Sequence, residues 1–232
     1  MPIRNTTKQY DAPAYYHVYN RGALDSQIFL DDADRNKFLS LFARHLDPAN
    51  DDTKTGGMEY EKYDVELVAY CLMGNHFHLL LFQETDPTMI TQLMRSVATA
   101  YTMYFNHKYK RHGHLFQSVF KASHVSDESY LLHITRYIHM NPRNYMRYQW
   151  SSISYYLGAK RPTWLRTDRI NDMSPRAYKQ FLRDYEGKRK SGIYLHLSGV
   201  NLITLVSLHK ARILCFVSIS TPLRRYKEQI VR

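Results

Sequence analysis

The chain has 232 residues and a formal net charge of +11, and its composition excludes a disordered or a disulfide-stabilised protein. Hydrophobic residues make up 44% of it and aromatic residues 14%, which is enough to build a sizeable core. Its two cysteines give no disulfide framework, and no apolar run approaches the ~20 residues of a membrane span. We therefore expect a globular protein of the cytoplasm with no membrane partner.

Three runs of β-branched, aromatic and apolar residues predict strands, at 15–20, 65–72 and 76–82. The Gly74-Asn75 pair predicts a hairpin turn that makes the last two of these strands antiparallel. Three further runs have apolar residues at helical spacing and predict helices, which begin near Asp31, Asp86 and Ser126. The last helix should end near Asn141, because the proline that follows it lacks an N–H group.

This order of elements predicts an α+β domain, in which helices pack on an antiparallel sheet. We assign residues 1–150 to this domain, residues 151–192 to a basic helical appendage and residues 193–232 to a tail of unknown role. The tail is apolar in its middle and basic at its end. Either a lineage-specific extension or a shifted reading frame explains this difference in composition.

Positive charge is concentrated in the second half of the chain. Residues 1–100 carry 9 Lys and Arg against 14 Asp and Glu, whereas residues 101–232 carry 23 against 7. Such a surface attracts polyanions, and the aromatic residues interleaved with it at 101–111 suit single strands, whose bases stack on flat rings. A solvated basic face kept for solubility explains the charge equally well. Composition alone favours neither interpretation.

The sequence His76-Phe77-His78 lies at the start of a predicted strand, where residues two apart point to one face and lie about 6.5–7 Å apart. Both imidazoles can therefore reach one metal ion. Phe77 points to the opposite face, toward the helices, so we expect the histidine face to be the open side of the sheet. Two half-exposed sheet histidines explain an isolated pattern of this kind at least as well as a metal site does.

Tyr137 and Asn141 lie four residues apart on the last predicted helix, so they project from one face about one turn apart. The amide oxygen of Asn141 can complete a metal shell with two imidazoles, and Mg²⁺ or Mn²⁺ accepts this mixture of donors. A tyrosine beside such an ion can attack a phosphate. The alternative is an ordinary core or surface aromatic residue, since the chain contains 20 tyrosines.

Four blocks of the sequence resemble the single-tyrosine HUH transposases, and most closely the REP-associated tyrosine transposases. In chain order they are residues 16–22 (YHVYNRG), 72–81 (LMGNHFHLLL), 113–117 (GHLFQ) with 120–121 (FK), and 136–142 (RYIHMNP). Residues 150–158 look similar as well. Gly74 stands where relatives often have proline, and His114 stands where arginine is common, which predicts a weaker phosphate contact there.

The resemblance implies that His76 and His78 bind a divalent metal, that Asn141 is the third ligand and that Tyr137 is the nucleophile. It implies a ferredoxin-like or RRM-like antiparallel sheet with helices packed on one face, the HUH motif on a sheet strand and the nucleophile on a following helix. It also implies cleavage and rejoining of single-stranded DNA through a 5′-phosphotyrosine, at hairpins formed by palindromic ends. Homodimers are usual among the relatives, though less clearly in the REP-associated branch.

Basic residues near these blocks are our candidates for contacts to the DNA backbone. They are Lys108, Lys110, Arg111, Lys121, Arg136 and Arg143. Each by itself is better explained as a generic surface cation, so the prediction depends on their clustering around the site. His133, one turn before Tyr137, is a candidate to take the phenolic proton, because a tyrosine pKa near 10 requires a proton acceptor.

Two other functions stay open at the level of the sequence. The first is a non-catalytic RNA- or single-stranded DNA-binding module, in which aromatic residues of an RRM-like sheet stack bases and the histidines are incidental. The second is a zinc protein whose ligands come from His76, His78, His112, His114 and His139. Its spacings match no common structural zinc site.

Overall fold

A four-stranded antiparallel sheet forms the centre of the computed structural model, which describes residues 10–49, 60–170 and 172–190. The strands are β1 (Ala14–Arg21), β2 (Val65–Leu72), β3 (His76–Gln83) and β4 (Lys121–Val125), in the order β2-β3-β1-β4. The helices are α1 (Asp32–Leu46), α2 (Met89–Lys108), α3 (Glu128–His139), α4 (Ile153–Tyr156) and α5 (Pro175–Lys190). The predicted α+β class and antiparallel sheet are confirmed. Among these described helices, none combines the length and apolarity needed to cross a bilayer.

Local signals in the sequence account for the start of α1 and for the β2–β3 hairpin. Helix α1 begins at a capping box, in which the Asp31 carboxylate accepts a hydrogen bond from the Asp34 amide at 2.9 Å and the Asp34 carboxylate accepts one from the Asp31 amide at 3.3 Å. The Met73 amide closes the β2–β3 hairpin by donating to the His76 carbonyl at 2.8 Å. Strand β4 is an addition to the predicted elements, because its sequence KASHV contains no apolar run and only its pairing with β1 defines it.

Helices cover both faces of the sheet, which corrects the expectation that they pack on one face. Helices α1 and α2 pack on the face that carries Phe77, Leu79 and Leu81. Helices α3, α4 and α5 form a second layer on the face that carries Leu80 and Phe82. The reason lies in β2 and β3, whose side chains are apolar on both faces for most of their length, so neither face can be left to water.

Residues 151–190 pack against the sheet, and α4 and α5 belong to this second layer, which corrects the assignment of the segment as an appendage. Tyr156, Tyr178 and Leu182 are at most 1% exposed and pack in the same core as Leu80. Ser151 also forms an isolated bridge with Cys71 of β2. The described residues therefore form one compact unit rather than a domain that ends at residue 150. The predicted tail at 193–232 lies outside the described residues.

His139 joins three segments of the second layer. Its buried ring places Nδ1 2.7 Å from the Tyr178 hydroxyl of α5 and Nε2 2.7 Å from the hydroxyl of Ser152, just before α4. Burial lowers the pKa of His139 to about 3, so the ring is neutral. We expect His139→Ala to lower the free energy of unfolding by roughly 3 kcal/mol, because it leaves a cavity and two buried hydroxyls without this partner.

Urea denaturation measures this loss of stability. The matched control is His107→Ala on α2, whose exposed side chain should change the free energy of unfolding by less than about 0.5 kcal/mol. Equal stability of the two variants would show that the contacts of His139 with Tyr178 and Ser152 do not stabilise the second layer.

Candidate active site

The register of the sheet places the histidine pair among polar and aromatic residues of the neighbouring strands. In the β1–β3 pairing, Arg21 lies opposite His76 and Tyr19 lies opposite His78. In the β1–β4 pairing, Lys121 lies opposite Tyr19. Directly opposed residues of antiparallel strands share a face. These five side chains therefore belong to one face of the sheet, which we call the histidine face.

Helix α3 crosses the histidine face and brings Tyr137 to the histidines. The Tyr137 ring meets the His78 ring edge-on with 5.5 Å between centroids, and the His76 and His78 rings are 5.2 Å apart. His78 is only 2% exposed, so the expectation of an open face is wrong. The cause is the apolar continuation of β3 through Leu80, against which α3 packs in the same core.

Asn141 lies two residues beyond the end of α3 and reaches His76. Its Oδ1 atom is 3.1 Å from Nε2 of His76. Two ligands at adjacent positions of an octahedral ion, each bonded at about 2.1 Å, lie about 3 Å apart, so this pair fits a hard or borderline divalent metal. Among the described residues, no group of three or more His, Cys, Asp or Glu side chains is arranged to hold a metal. A metal at His76 and His78 therefore needs a third donor of another type, such as this amide.

His17 of β1 is a member of the site that the sequence patterns did not single out. It is 6% exposed, its Nε2 lies 2.9 Å from Nδ1 of His78, and its ring centroid lies 5.7 Å from that of Tyr137. This contact occupies Nδ1 of His78 and leaves Nε2 as the nitrogen able to bind a metal. The signals in the sequence are its position among the apolar and aromatic residues of β1 and its place in the block 16–22 that resembles the single-tyrosine HUH transposases.

Burial sets the charge state of the groups around Tyr137. Burial lowers the pKa of His17 to about 4 and the pKa of His78 well below its usual value, so both rings are neutral near pH 7. Burial also raises the pKa of Tyr137 to about 12, since a phenolate would be poorly solvated there. His133 is a poor proton acceptor for this tyrosine through Nδ1, because that nitrogen lies 2.6 Å from the Arg136 guanidinium and accepts its hydrogen bond.

Two of the basic residues predicted to contact DNA make contacts within the protein instead. Lys108 lies on the opposite side of the sheet, where its ammonium group makes three contacts of 2.7–2.9 Å with the carboxylates of Asp31 and Asp34. Arg136 is buried, with its guanidinium 4.3 and 4.1 Å from the centroids of two aromatic rings of α5. The structure therefore corrects the expectation that these two charges gather around the site as free cations.

The other predicted basic residues are accessible, and two of them adjoin the site. Lys121 is exposed on the histidine face, and Arg143 is exposed two residues after Asn141. Lys110 and Arg111 follow α2, which packs on the other face of the sheet. Arg21 of β1 is a further cation beside His76 that the sequence patterns missed.

The family of the central segment follows from its sequence. Residues 57–141 match the family model described as "Transposase IS200 like". This segment is similar to the IS200-like transposases. The match confirms the resemblance seen in the sequence. The IS200-like transposase segment contains His76, His78 and Tyr137 and ends on Asn141, whereas β1 with His17 lies outside it.

Several solved structures are similar to this chain. A REP-associated tyrosine transposase bound to a REP hairpin is 14% identical, with 75% of this chain and 96% of that chain covered and a TM-score of 0.48. A predicted transposase from Deinococcus radiodurans R1 is 20% identical over 58% and 95% of the chains, with a TM-score of 0.35. The tRNA(His) guanylyltransferase of Saccharomyces cerevisiae is 10% identical over 86% of both chains, with a TM-score of 0.36. No curated protein matches the chain.

Proposed function

We propose that this protein cleaves and rejoins single-stranded DNA with the Tyr137 hydroxyl as its nucleophile. The observation that carries the proposal is the contact between Tyr137 of α3 and His78 of β3, whose ring centroids are 5.5 Å apart. A phosphodiester-cleaving site needs a nucleophile next to groups that can hold a cation. The sequence segment that provides both groups here is similar to the IS200-like transposases.

We propose Mg²⁺ or Mn²⁺ as the cofactor, held by His76, His78 and Asn141. The two imidazoles and the amide oxygen suit such an ion, and a set of three protein ligands leaves positions for phosphate oxygens. When bound, the ion supplies positive charge that offsets the charge on the non-bridging oxygens of the scissile phosphate. The neutral rings of His17 and His78 add no opposing charge.

The cleavage step forms one bond and breaks one. The Tyr137 oxygen bonds to phosphorus while the bond from phosphorus to the 3′-oxygen breaks. The phenolic proton leaves to water, the 3′-oxygen gains a proton, and the 5′-phosphate stays on the tyrosine. A 3′-OH from another end reverses these steps and rejoins the strand. No ATP is required, because the phosphotyrosine ester retains the energy of the phosphodiester.

We further propose that the DNA backbone crosses the histidine face near Lys121, Arg143 and Arg21. Lys121→Gln should weaken binding about 3- to 10-fold for every DNA sequence and reduce the slope of log affinity against log salt by about 1. Fluorescence anisotropy over a salt series measures both effects. Lys37→Gln on α1, on the opposite side of the sheet, is the control that should change neither. A loss confined to one DNA sequence would contradict a backbone contact.

A covalent-adduct assay tests the proposed function. The protein is incubated with a labelled, hairpin-bearing single strand and Mn²⁺ or Mg²⁺ and then run on a denaturing gel. We expect a cut strand and a protein–DNA adduct that survives denaturation. A non-catalytic binding module would shift the same DNA on a native gel and give no adduct on any of a varied set of hairpins. That second result would contradict the proposal.

A further inference from the structure

We propose that Asp25 and Asn75 are positioning residues, which hold the His76 ring with Nδ1 protonated and Nε2 turned toward Asn141. The proposal rests on the proposed function, because the value of this orientation is to present Nε2 of His76 as a metal ligand. It adds an outer layer of two residues, one of which comes from the loop after β1, outside the family-matched segment 57–141.

A chain of hydrogen bonds fixes the direction of each donor. The side-chain amide nitrogen Nδ2 of Asn75 donates to Oδ1 of Asp25 at 2.8 Å. The side-chain amide oxygen Oδ1 of Asn75 lies 2.6 Å from Nδ1 of His76. The Arg21 guanidinium pairs with the same carboxylate oxygen at 3.3 Å. A carboxylate only accepts, so the amide nitrogen must face Asp25 and the amide oxygen must face His76. Nδ1 of His76 is therefore the nitrogen that carries the proton.

The position of this proton on Nδ1 determines which nitrogen of His76 can bind a metal. A neutral imidazole has one N–H group, so protonation of Nδ1 leaves Nε2 with a lone pair. That nitrogen lies 3.1 Å from Oδ1 of Asn141, an atom that also only accepts. Two acceptors side by side are stabilised by a cation, and outer hydrogen bonds commonly set which ring nitrogen faces the metal. The chain from Asp25 thus prepares His76 as a ligand through Nε2.

The backbone of the loop after β1 gives independent support. Leu24 and Asp25 both have left-handed backbone conformations, with φ of 52° and 60°, which side chains other than glycine rarely adopt. Leu24 is 100% exposed, so no packing of its side chain compensates this conformation. The Gly22 backbone amide ties the loop to the β2–β3 turn by donating to the Asn75 carbonyl at 2.9 Å. We infer that the loop keeps this conformation because it holds the Asp25 carboxylate against Asn75.

Nitrogen-15 NMR of the histidine rings in the metal-free protein tests the orientation directly. We expect the Nδ1–H tautomer for His76 in the wild type and a shift toward the Nε2–H tautomer in Asn75→Ala and Asp25→Ala. Asp25→Asn keeps an acceptor oxygen at the same place and should retain the wild-type tautomer. The control is Asp184→Ala, which removes a matched amide–carboxylate contact of 2.7 Å with Gln180 on α5.

Titration of the same proteins with Mn²⁺ alone, followed by calorimetry, gives the second measurement. Asn75→Ala should bind Mn²⁺ about 10- to 100-fold more weakly than the wild type at unchanged helix content, and Asp25→Asn should bind it nearly as well. An Nε2–H tautomer in the wild type, or wild-type Mn²⁺ affinity in Asn75→Ala, would overturn the positioning role. A protein that shows the expected tautomers and affinities but forms no DNA adduct would support the positioning role and contradict the proposed function.

Discussion

Replacing Tyr137 with phenylalanine should abolish strand cleavage and leave the fold and DNA binding in place. The substitution removes the oxygen that would attack phosphorus, so we expect the cleavage rate to fall by at least about 10³-fold. The phenyl ring keeps the edge-on contacts that Tyr137 makes with His78 and His17. Affinity for the hairpin strand should therefore change by less than about 3-fold. Denaturing gels measure cleavage, and fluorescence anisotropy measures binding.

Tyr130→Phe is the matched control for this prediction. Tyr130 lies on the same helix α3, and its hydroxyl has no hydrogen-bond partner among the described atoms. Its loss should leave cleavage near the wild-type rate. If Tyr137→Phe still formed the adduct, or if both variants lost cleavage equally, Tyr137 would not be the nucleophile.

Removing divalent metal should also slow cleavage strongly. We expect protein treated with EDTA to cleave at least about 10²-fold more slowly and to recover fully on addition of Mn²⁺ or Mg²⁺. His78→Ala should be as slow as the EDTA-treated protein and should not recover, because it loses a ligand and the hydrogen-bond partner of His17. A time course on denaturing gels at a series of Mn²⁺ concentrations measures the recovery.

His112→Ala distinguishes this metal site from a zinc site that uses His112 as a ligand. His112 is exposed in the chain after α2, so its loss should leave metal-dependent cleavage unchanged. Full cleavage in excess EDTA would contradict the metal role of the histidine pair. Loss of folding on chelation, together with loss of metal binding in His112→Ala, would favour the zinc protein instead.

The sequence predicted those parts of the fold that local signals determine. The β2–β3 hairpin follows from two apolar runs around Gly74-Asn75, and α1 follows from its capping residues. Strand β4 was missed because it is stabilised by pairing with β1, about a hundred residues earlier in the chain. The second helical layer was underestimated for a similar reason, since the burial of Tyr178 and Leu182 depends on contacts that no local pattern specifies.

Within the candidate site too, local patterns predicted some features, whereas others depend on contacts between residues distant in the sequence. Periodicity along β3 puts His76 beside His78, but only packing in the second layer brings Tyr137 to His78 and Asn141 to His76. His17 was missed because its partner His78 lies 61 residues away in the sequence, so no local spacing links the two. Lys108 was misplaced because charge alone does not reveal that the carboxylates of Asp31 and Asp34, at the start of α1, neutralise it.

Peptide mapping of the covalent adduct tests the central claim most directly. The protein is reacted with a hairpin-bearing strand and Mn²⁺, the DNA is trimmed with nuclease, and the tryptic peptides are analysed by mass spectrometry. Cleavage after Arg136 and Arg143 releases the peptide YIHMNPR, which contains Tyr137 as its only tyrosine. We predict that this peptide carries a nucleotide 5′-phosphate on Tyr137. A nucleotide on any other residue, or an unmodified peptide from a protein that has cut its strand, would contradict the claim.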